Sequence, residues 1–123
     1  MAAGACIQSG SSLTAQQGLQ VNVKTAGDYG YGLFASGSGS LIDVTGLTAV
    51  DVVSGSGEIR GVQGFSGAEV KMNGAVKVAG KSDGGAVTGL WSWNGGKVDF
   101  ADIAAGGTLE LFMGDKPNVE WGL

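Results

Sequence analysis

The sequence predicts an all-β fold, a right-handed parallel β-helix (β-solenoid) with three short strands per rung and about 28 residues per rung. Three observations lead to this fold class. Related segments recur at a nearly constant spacing, apolar residues alternate with polar ones inside each segment, and 25 of the 123 residues are glycine. This combination is typical of stacked strands that are joined by tight turns.

The repeat is visible in the glycines that open three related segments. Gly32, Gly61 and Gly89 are 29 and 28 residues apart, an interval in the range of solenoid repeats. We expect these glycines to lie at corners, where a positive φ or close packing between rungs excludes a side chain. If residues 60, 62 and 64 shared one face, Arg60 would point inward beside Val62, and a bend at Gly61 would remove that conflict.

Each unit contains three short pieces with strand character. The first piece has the pattern Gly-(Leu/Val)-x-small, where x is any residue. The second piece, as in 68–72, has the pattern small-x-apolar-x-apolar. The third is an apolar-charged-apolar triplet, as in 76–78. The alternation has a period of two residues, which predicts strands, and no segment carries a 3.6-residue apolar stripe. We therefore expect no helix.

Stacking of the units predicts columns of equivalent residues that point into the core and should be apolar. Neighbouring members of a column lie about 4.8 Å apart. The inward columns are Leu33, Val62 and Leu90 on the first face, and Ile42, Val70 and Val98 with Val44, Met72 and Phe100 on the second.

The outward columns are expected to avoid like charges in neighbouring rungs. In the alignment of the repeats the sign of the charge alternates in each such column, which would disfavour a slip of register. The columns of this structural ladder are Asp43, Lys71 and Asp99, then Leu41, Glu69 and Lys97, and finally Asn22, Asp51, Lys77 and Glu110.

We predict a single β-solenoid fragment over residues 1–123. Its rungs would cover roughly 5–30 (partial), 31–59, 60–87 and 88–120, with a new rung starting at 121, because 121–123 matches 88–90. A solenoid whose last rung is only begun exposes unpaired strand edges. We therefore expect end-to-end association of the chain through uncapped rungs.

Composition and charge exclude several classes of function. The net charge is −4, with no basic stripe for nucleic acid, and no apolar run is long enough to span a membrane. The sequence has no histidine, which removes Ser-His-Asp and Cys-His catalysis and most zinc sites. Cys6 is the single cysteine and has no neighbouring base to activate it. We predict no cofactor, no metal site and no enzymatic activity.

Paired carboxylates leave one enzymatic alternative open. Asp43 and Asp99 would lie two rungs apart, at about 9.6 Å, within the range of carboxylate pairs in glycosidases. Lys71 lies between them, which favours a salt-bridge ladder over a catalytic pair. Asp99 and Asp102 form a close acidic pair, but calcium normally takes six or more oxygen ligands.

Aromatic side chains are the best candidates for a ligand or partner surface. One column contains Phe34, Gln63 and Trp91, and the glutamine indicates that this column faces outward. Trp91 and Trp93, with Tyr31 nearby, would then form an exposed patch that stacks on sugars or anchors a protein partner. The alternative is that Trp93 fills a wide corner of the core while Trp91 packs under a loop.

The pattern of 31–35 followed by Gly39-Ser40, repeated in 87–98, resembles repeats in bacterial autotransporter passenger domains. The resemblance covers most of residues 19–112. It implies a β-helical protein of the cell surface or a secreted protein that folds after crossing the outer membrane. It also implies partners such as a host or cell-surface protein or a glycan. The family's signal segment and its membrane barrel are not found in this sequence, so the resemblance implies a fragment.

Three functional hypotheses follow. The first is a structural or adhesive segment of such a passenger, which acts as a rigid stalk or an interaction surface. The second is a self-assembling β-solenoid that stacks end to end into filaments. The third is a carbohydrate-binding or carbohydrate-active β-helix fragment.

Overall fold

The computed structural model describes residues 2–27, 29–99, 109–112 and 119–120. Within these ranges the chain forms parallel strands stacked as a β-solenoid of about three turns, with three strands in each rung and no helix. The predicted fold class is therefore confirmed. Every strand pairs with the equivalent strand of the next rung, as in a one-dimensional stack of repeats.

Three parallel sheets form the faces of the solenoid. The first sheet contains β1 (Ala2–Gln8), β4 (Gly30–Ser36), β7 (Ile59–Phe65), β10 (Val87–Trp93) and β13 (Val119–Glu120). The second sheet contains β2 (Ser12–Ala15), β5 (Leu41–Thr45), β8 (Glu69–Asn73) and β11 (Lys97–Asp99). The third sheet contains β3 (Leu19–Thr25), β6 (Thr48–Ser54), β9 (Val76–Ser82) and β12 (Leu109–Phe112).

The inward columns form one continuous apolar core. Leu33, Val62 and Leu90 stand opposite one another, and each is at most 1% exposed. Ile42 and Val70 on the second sheet are fully buried, while Val98 is partly buried. Val44 and Met72 are likewise at 0%, whereas Phe100 lies outside the described residues. The period-two pattern thus predicted which residues face the core.

One rung is a residue longer than its neighbours, and a corner takes up the difference. Strands β4 and β7 are offset by 29 residues, whereas β5 and β8 are offset by 28. The additional residue therefore lies between Ser36 and Leu41. Ser40 fills this corner: its hydroxyl donates to the Ser36 carbonyl at 2.7 Å and accepts from the Gly10 N–H at 2.9 Å.

The glycines that open the repeats lie inside strands, which corrects the expectation that they occupy corners. Gly32, Gly61 and Gly89 are each the third residue of a strand, and none has a positive φ. A Cβ at Gly61 would meet Val78 and would lie 2.7 Å from the Gly89 carbonyl oxygen. Close packing between rungs and against the third sheet, rather than backbone conformation, excludes a side chain there.

The first sheet bends at this glycine column. The ladder passes from the Tyr31–Arg60 pair directly to the Leu33–Val62 pair and omits the glycines between them. Gly61 and Val62 consequently both face the interior, and Arg60 remains on the outer side, where 20% of its side chain is exposed. The bend considered from the sequence is therefore present.

The third outward column differs from the predicted one. Asn22 stands opposite Asp51, and Glu110 stands opposite Lys77, but Asp51 pairs with Ala79 while Lys77 pairs with Ala49. The register is two residues away from the alignment, because Thr48 takes the inward place opposite Val76. When the pairing of two strands shifts by two residues, every side chain stays on the same side of the sheet. The apolar-charged-apolar triplet is therefore compatible with both registers.

The next rung also begins slightly earlier than the sequence alignment placed it. Val119 and Glu120 pair with Val87 and Thr88, so the residue opposite Thr88 is Glu120 and not Trp121. The matched segment 121–123 lies outside the described residues, as do 101–107, in which the sequence predicts the additional residues of this rung.

Candidate functional site

Seven side chains of the first sheet form a connected group, of which six are at least partly exposed and Gln63 is buried at 3% exposure. They come from β4, β7 and β10, which stand in register over three successive rungs. We call this surface the aromatic face and define it as Tyr31, Phe34, Arg60, Gln63, Phe65, Trp91 and Trp93.

Two rings of the aromatic face come from β4. Tyr31 and Phe34 are three residues apart and would point to opposite sides of a regular strand. The bend at Gly32 brings both to the outer side, where their rings stack with centroids 5.3 Å apart and an interplanar angle of 21°. An offset stack of this kind stabilises both rings beyond the burial of their surface.

Arg60 connects the rungs in the middle of the aromatic face. Its guanidinium carbon lies 4.3 Å from the centre of a Trp91 ring, within the range of cation–π contacts. The same guanidinium pairs with the Glu58 carboxylate at 3.2 Å and donates to the Gln63 side-chain oxygen at 3.2 Å. The arginine is thus held in one orientation and its charge is compensated by Glu58.

Trp93 is the most exposed aromatic side chain of the face, at 59%. Its ring packs beside Phe65, with centroids 5.4 Å apart at an angle of 35°. Trp93 ends β10, and a tight turn follows at Asn94 and Gly95, both with positive φ (52° and 77°). Ser92 fixes this turn by donating to the Gly96 carbonyl at 2.7 Å. The indole is therefore displayed on an ordered strand end.

The two tryptophans differ in environment. Trp93 does not fill the core, which overturns the alternative proposed from the sequence for that residue. Trp91 is half-buried, and the group over its ring is the Arg60 guanidinium. Its indole N–H is buried without a hydrogen-bond partner. An unpaired buried donor is costly.

The pKa of Tyr31 reports on the desolvation of this surface. Burial raises the pKa of its phenol above the ordinary value of 10.0, while the nearby Arg60 charge acts in the opposite direction. The neutral phenol is therefore favoured, and it keeps its capacity to donate a hydrogen bond.

Two columns of the predicted charge ladder lie on the second sheet, away from the aromatic face. Lys71 stands opposite both Asp43 and Asp99, as the alternating column required. The Asp43 carboxylate accepts a hydrogen bond from the Asn73 amide at 2.9 Å. Asp102 lies outside the described residues. Within the described part of the chain, no three His, Cys, Asp or Glu side chains come together as a metal site would require.

A shallow groove of about 580 Å³ lies on the third sheet, on a different side of the solenoid. Gln20, Asn22, Leu47, Asp51 and Lys77 are among the residues that line it. It is open to solvent, and its described lining contains no aromatic side chain. Because an anchoring aromatic group is missing from this lining, we give the aromatic face precedence over the groove.

Comparison with known proteins adds no assignment. No family model matches the chain, and searches of curated proteins and of solved structures gave no match either.

Cys6 is exposed, and the Gln8 amide lies 3.7 Å from its sulfur. In the described residues no helix is long and apolar enough to cross a membrane.

Sequence reasoning found four members of the face and missed others. Tyr31, Phe34, Trp91 and Trp93 were identified, and the structure brings them onto one surface in two groups, with Arg60 between them. Phe65 was missed, although it precedes Trp93 by one repeat of 28 residues. The role of Glu58 had no sequence signal, because it lies in a corner where the repeat carries no fixed pattern.

Proposed function

We propose that the chain is a rigid interaction module that uses its aromatic face to bind a partner molecule. The observation that carries the proposal is Trp93, which is 59% exposed at the end of a strand and packs beside Phe65. Trp, Tyr and Arg are the residues most enriched at the centres of binding surfaces. All three types occur here within three rungs.

The mechanism follows from the rigidity of the stack. Each rung is hydrogen-bonded to its neighbours along all three sheets, and the core columns under the face are fully buried. The guanidinium of Arg60 is already fixed by Glu58, Gln63 and Trp91. A partner therefore meets a surface that loses little conformational entropy on binding, which favours affinity.

We further propose that this module is a segment of a surface-displayed or secreted bacterial passenger, with a structural or adhesive role. The resemblance of its repeats to autotransporter passengers supports this proposal, and the β-solenoid fold is compatible with it. In that setting the stacked rungs act as a stalk, and the aromatic face acts as a contact surface. The flanking gene sequence tests the proposal, since a downstream barrel-coding segment is expected.

Binding to immobilised surfaces tests the interaction module. Purified chain is passed over collagen, fibronectin, neutral and acidic glycans, and immobilised copies of itself. We expect retention on at least one surface, reduced at least about tenfold by Trp93→Ala because a central anchor is lost. Leu47→Ala is the matched control, since Leu47 is 51% exposed but lies between β5 and β6. Equal retention of all three proteins, or no retention anywhere, contradicts the proposal.

A further inference from the structure

The size of the aromatic face restricts what it binds. It extends over two rung intervals, about 10 Å, and over about five residues along the strands, about 16 Å. With Trp93 59% exposed, Gln63 buried and the other five side chains only partly exposed, the face offers less than about 600 Å² of accessible surface, whereas a stable protein interface buries about 800 Å² on each partner. The face is too small to hold a folded protein by itself, and its dimensions match a short chain of sugar rings.

The chemistry of the face narrows the ligand further. Its apolar part consists of flat rings, with no aliphatic side chain among its seven members. Flat rings pack against the C–H surface of a pyranose, while polar groups at the rim bind hydroxyls. Polar groups for this purpose are present beside the rings: Glu58 and Arg60 have 30% and 20% of their side chains exposed, and Tyr31 keeps its phenol proton.

The charge of the face disfavours an anionic ligand. Arg60 is paired with Glu58 and covered on one side by Trp91, so its charge is already compensated. The whole chain has a net charge of −4, which repels polyanions at low ionic strength. An acidic glycan or a nucleic acid would therefore meet no free positive charge on the aromatic face.

From these observations, and resting on the proposed function, we propose that the aromatic face binds an uncharged oligosaccharide. One sugar ring stacks on Trp93 beside Phe65. The next ring lies over the middle rung, where the Glu58 carboxylate accepts from sugar hydroxyls and the Arg60 guanidinium donates to them. Trp93 supplies the stacking platform, and the Glu58–Arg60 pair selects hydroxyl groups over charged groups.

A glycan array followed by solution titration tests the inference. The array carries neutral gluco-, manno- and galacto-oligosaccharides together with sialylated and uronic-acid oligosaccharides. We expect binding to a neutral member, with a change of tryptophan fluorescence on titration and little change of affinity when the NaCl concentration is raised tenfold. Trp93→Ala should weaken this binding at least about tenfold, Trp93→Phe should retain part of it, and Leu47→Ala should leave it unchanged.

The possible failures are distinguishable. Binding that depends on Trp93 but is confined to acidic glycans, or to collagen or fibronectin, overturns the neutral-glycan inference and leaves the interaction module standing. Absence of any binding that depends on Trp93 overturns both. Thermal unfolding and circular dichroism of each variant establish that the fold is intact, and Trp93→Phe provides a second folded variant if Trp93→Ala does not fold.

Discussion

The outer sides of the first and second sheets carry very different residues on the same scaffold. On the second sheet Asp43, Lys71 and Asp99 alternate in sign along one column. On the first sheet the equivalent outward positions hold aromatic rings and Arg60, which pairs with Glu58 in the adjacent corner. Alternating charges favour the correct register and solubility, whereas an exposed tryptophan serves neither. The contrast supports the proposal that the first sheet has a binding role besides stacking.

The inner sides of the two sheets differ as well. The second sheet alternates regularly, with Ile42 and Val44 both buried at 0% exposure. The first sheet bends at its glycine column, where two successive residues face the interior. That bend also brings Tyr31 and Phe34 to the same outer side. The aromatic face therefore depends on a backbone feature that the second sheet lacks.

The largest effect is expected from filling the glycine column. Gly61→Val places a side chain against Val78 and the Gly89 carbonyl. We expect a loss of about 3 kcal/mol in the free energy of unfolding, since overpacking of a rigid backbone contact is costly. Urea unfolding measures this change. Ala79→Val, at a half-buried outward position of β9, is the control and should change stability by less than about 0.5 kcal/mol. Equal stabilities of the two variants contradict the close packing described for the first sheet.

A smaller effect is expected from reversing the central charge of the second sheet. Lys71→Glu places a negative charge opposite both Asp43 and Asp99, about 4.8 Å away in each direction. We expect destabilisation of about 1 kcal/mol at low salt, because like charges in opposite positions repel, and less at high salt. Lys71→Gln is the control that removes the charge without reversing it. Identical urea midpoints for the two variants would show that this column does not set the register.

The inward half of the fold could be predicted from the sequence, and the reason is physical. Residues that fill the core must be apolar, as Leu33, Val62 and Leu90 are. Burial therefore makes every second residue of a strand apolar, and this alternation recurs in each repeat of about 28 residues. The third sheet shows the limit of this signal. Thr48 occupies an inward position at 0% exposure, but threonine is not apolar, and the alignment therefore moved by two residues.

The candidate site could be predicted only in part, because its contacts join residues of different rungs. Trp91 and Trp93 were recognised by residue type and period. The contact of Arg60 with Trp91 depends on the bend at Gly61, and the pairing with Glu58 depends on the conformation of a corner. Corners vary in length between rungs, as the additional residue before Leu41 shows, so a repeat pattern does not specify them.

The smallest effect concerns the rim of the aromatic face and uses pH. The unfolded chain loses the Tyr31 proton near the ordinary pKa of 10.0, before the folded chain does, because burial raises the pKa of the folded phenol. The contribution of the neutral Tyr31 phenol to the free energy of unfolding is therefore fully present below pH 10.0. It is lost as the pH rises through the higher pKa of the folded chain. Tyr31→Phe removes this group, so its stability should fall less steeply than that of the wild type. Urea unfolding of both proteins below and above pH 10.0 measures how much stability each one loses. The contributions of the other titrating groups cancel when the two losses are subtracted. If the stabilities of the two proteins fell in parallel with pH, the Tyr31 phenol would be hydrated in the folded chain. Its packing against Phe34 would then not exclude water from this part of the first sheet.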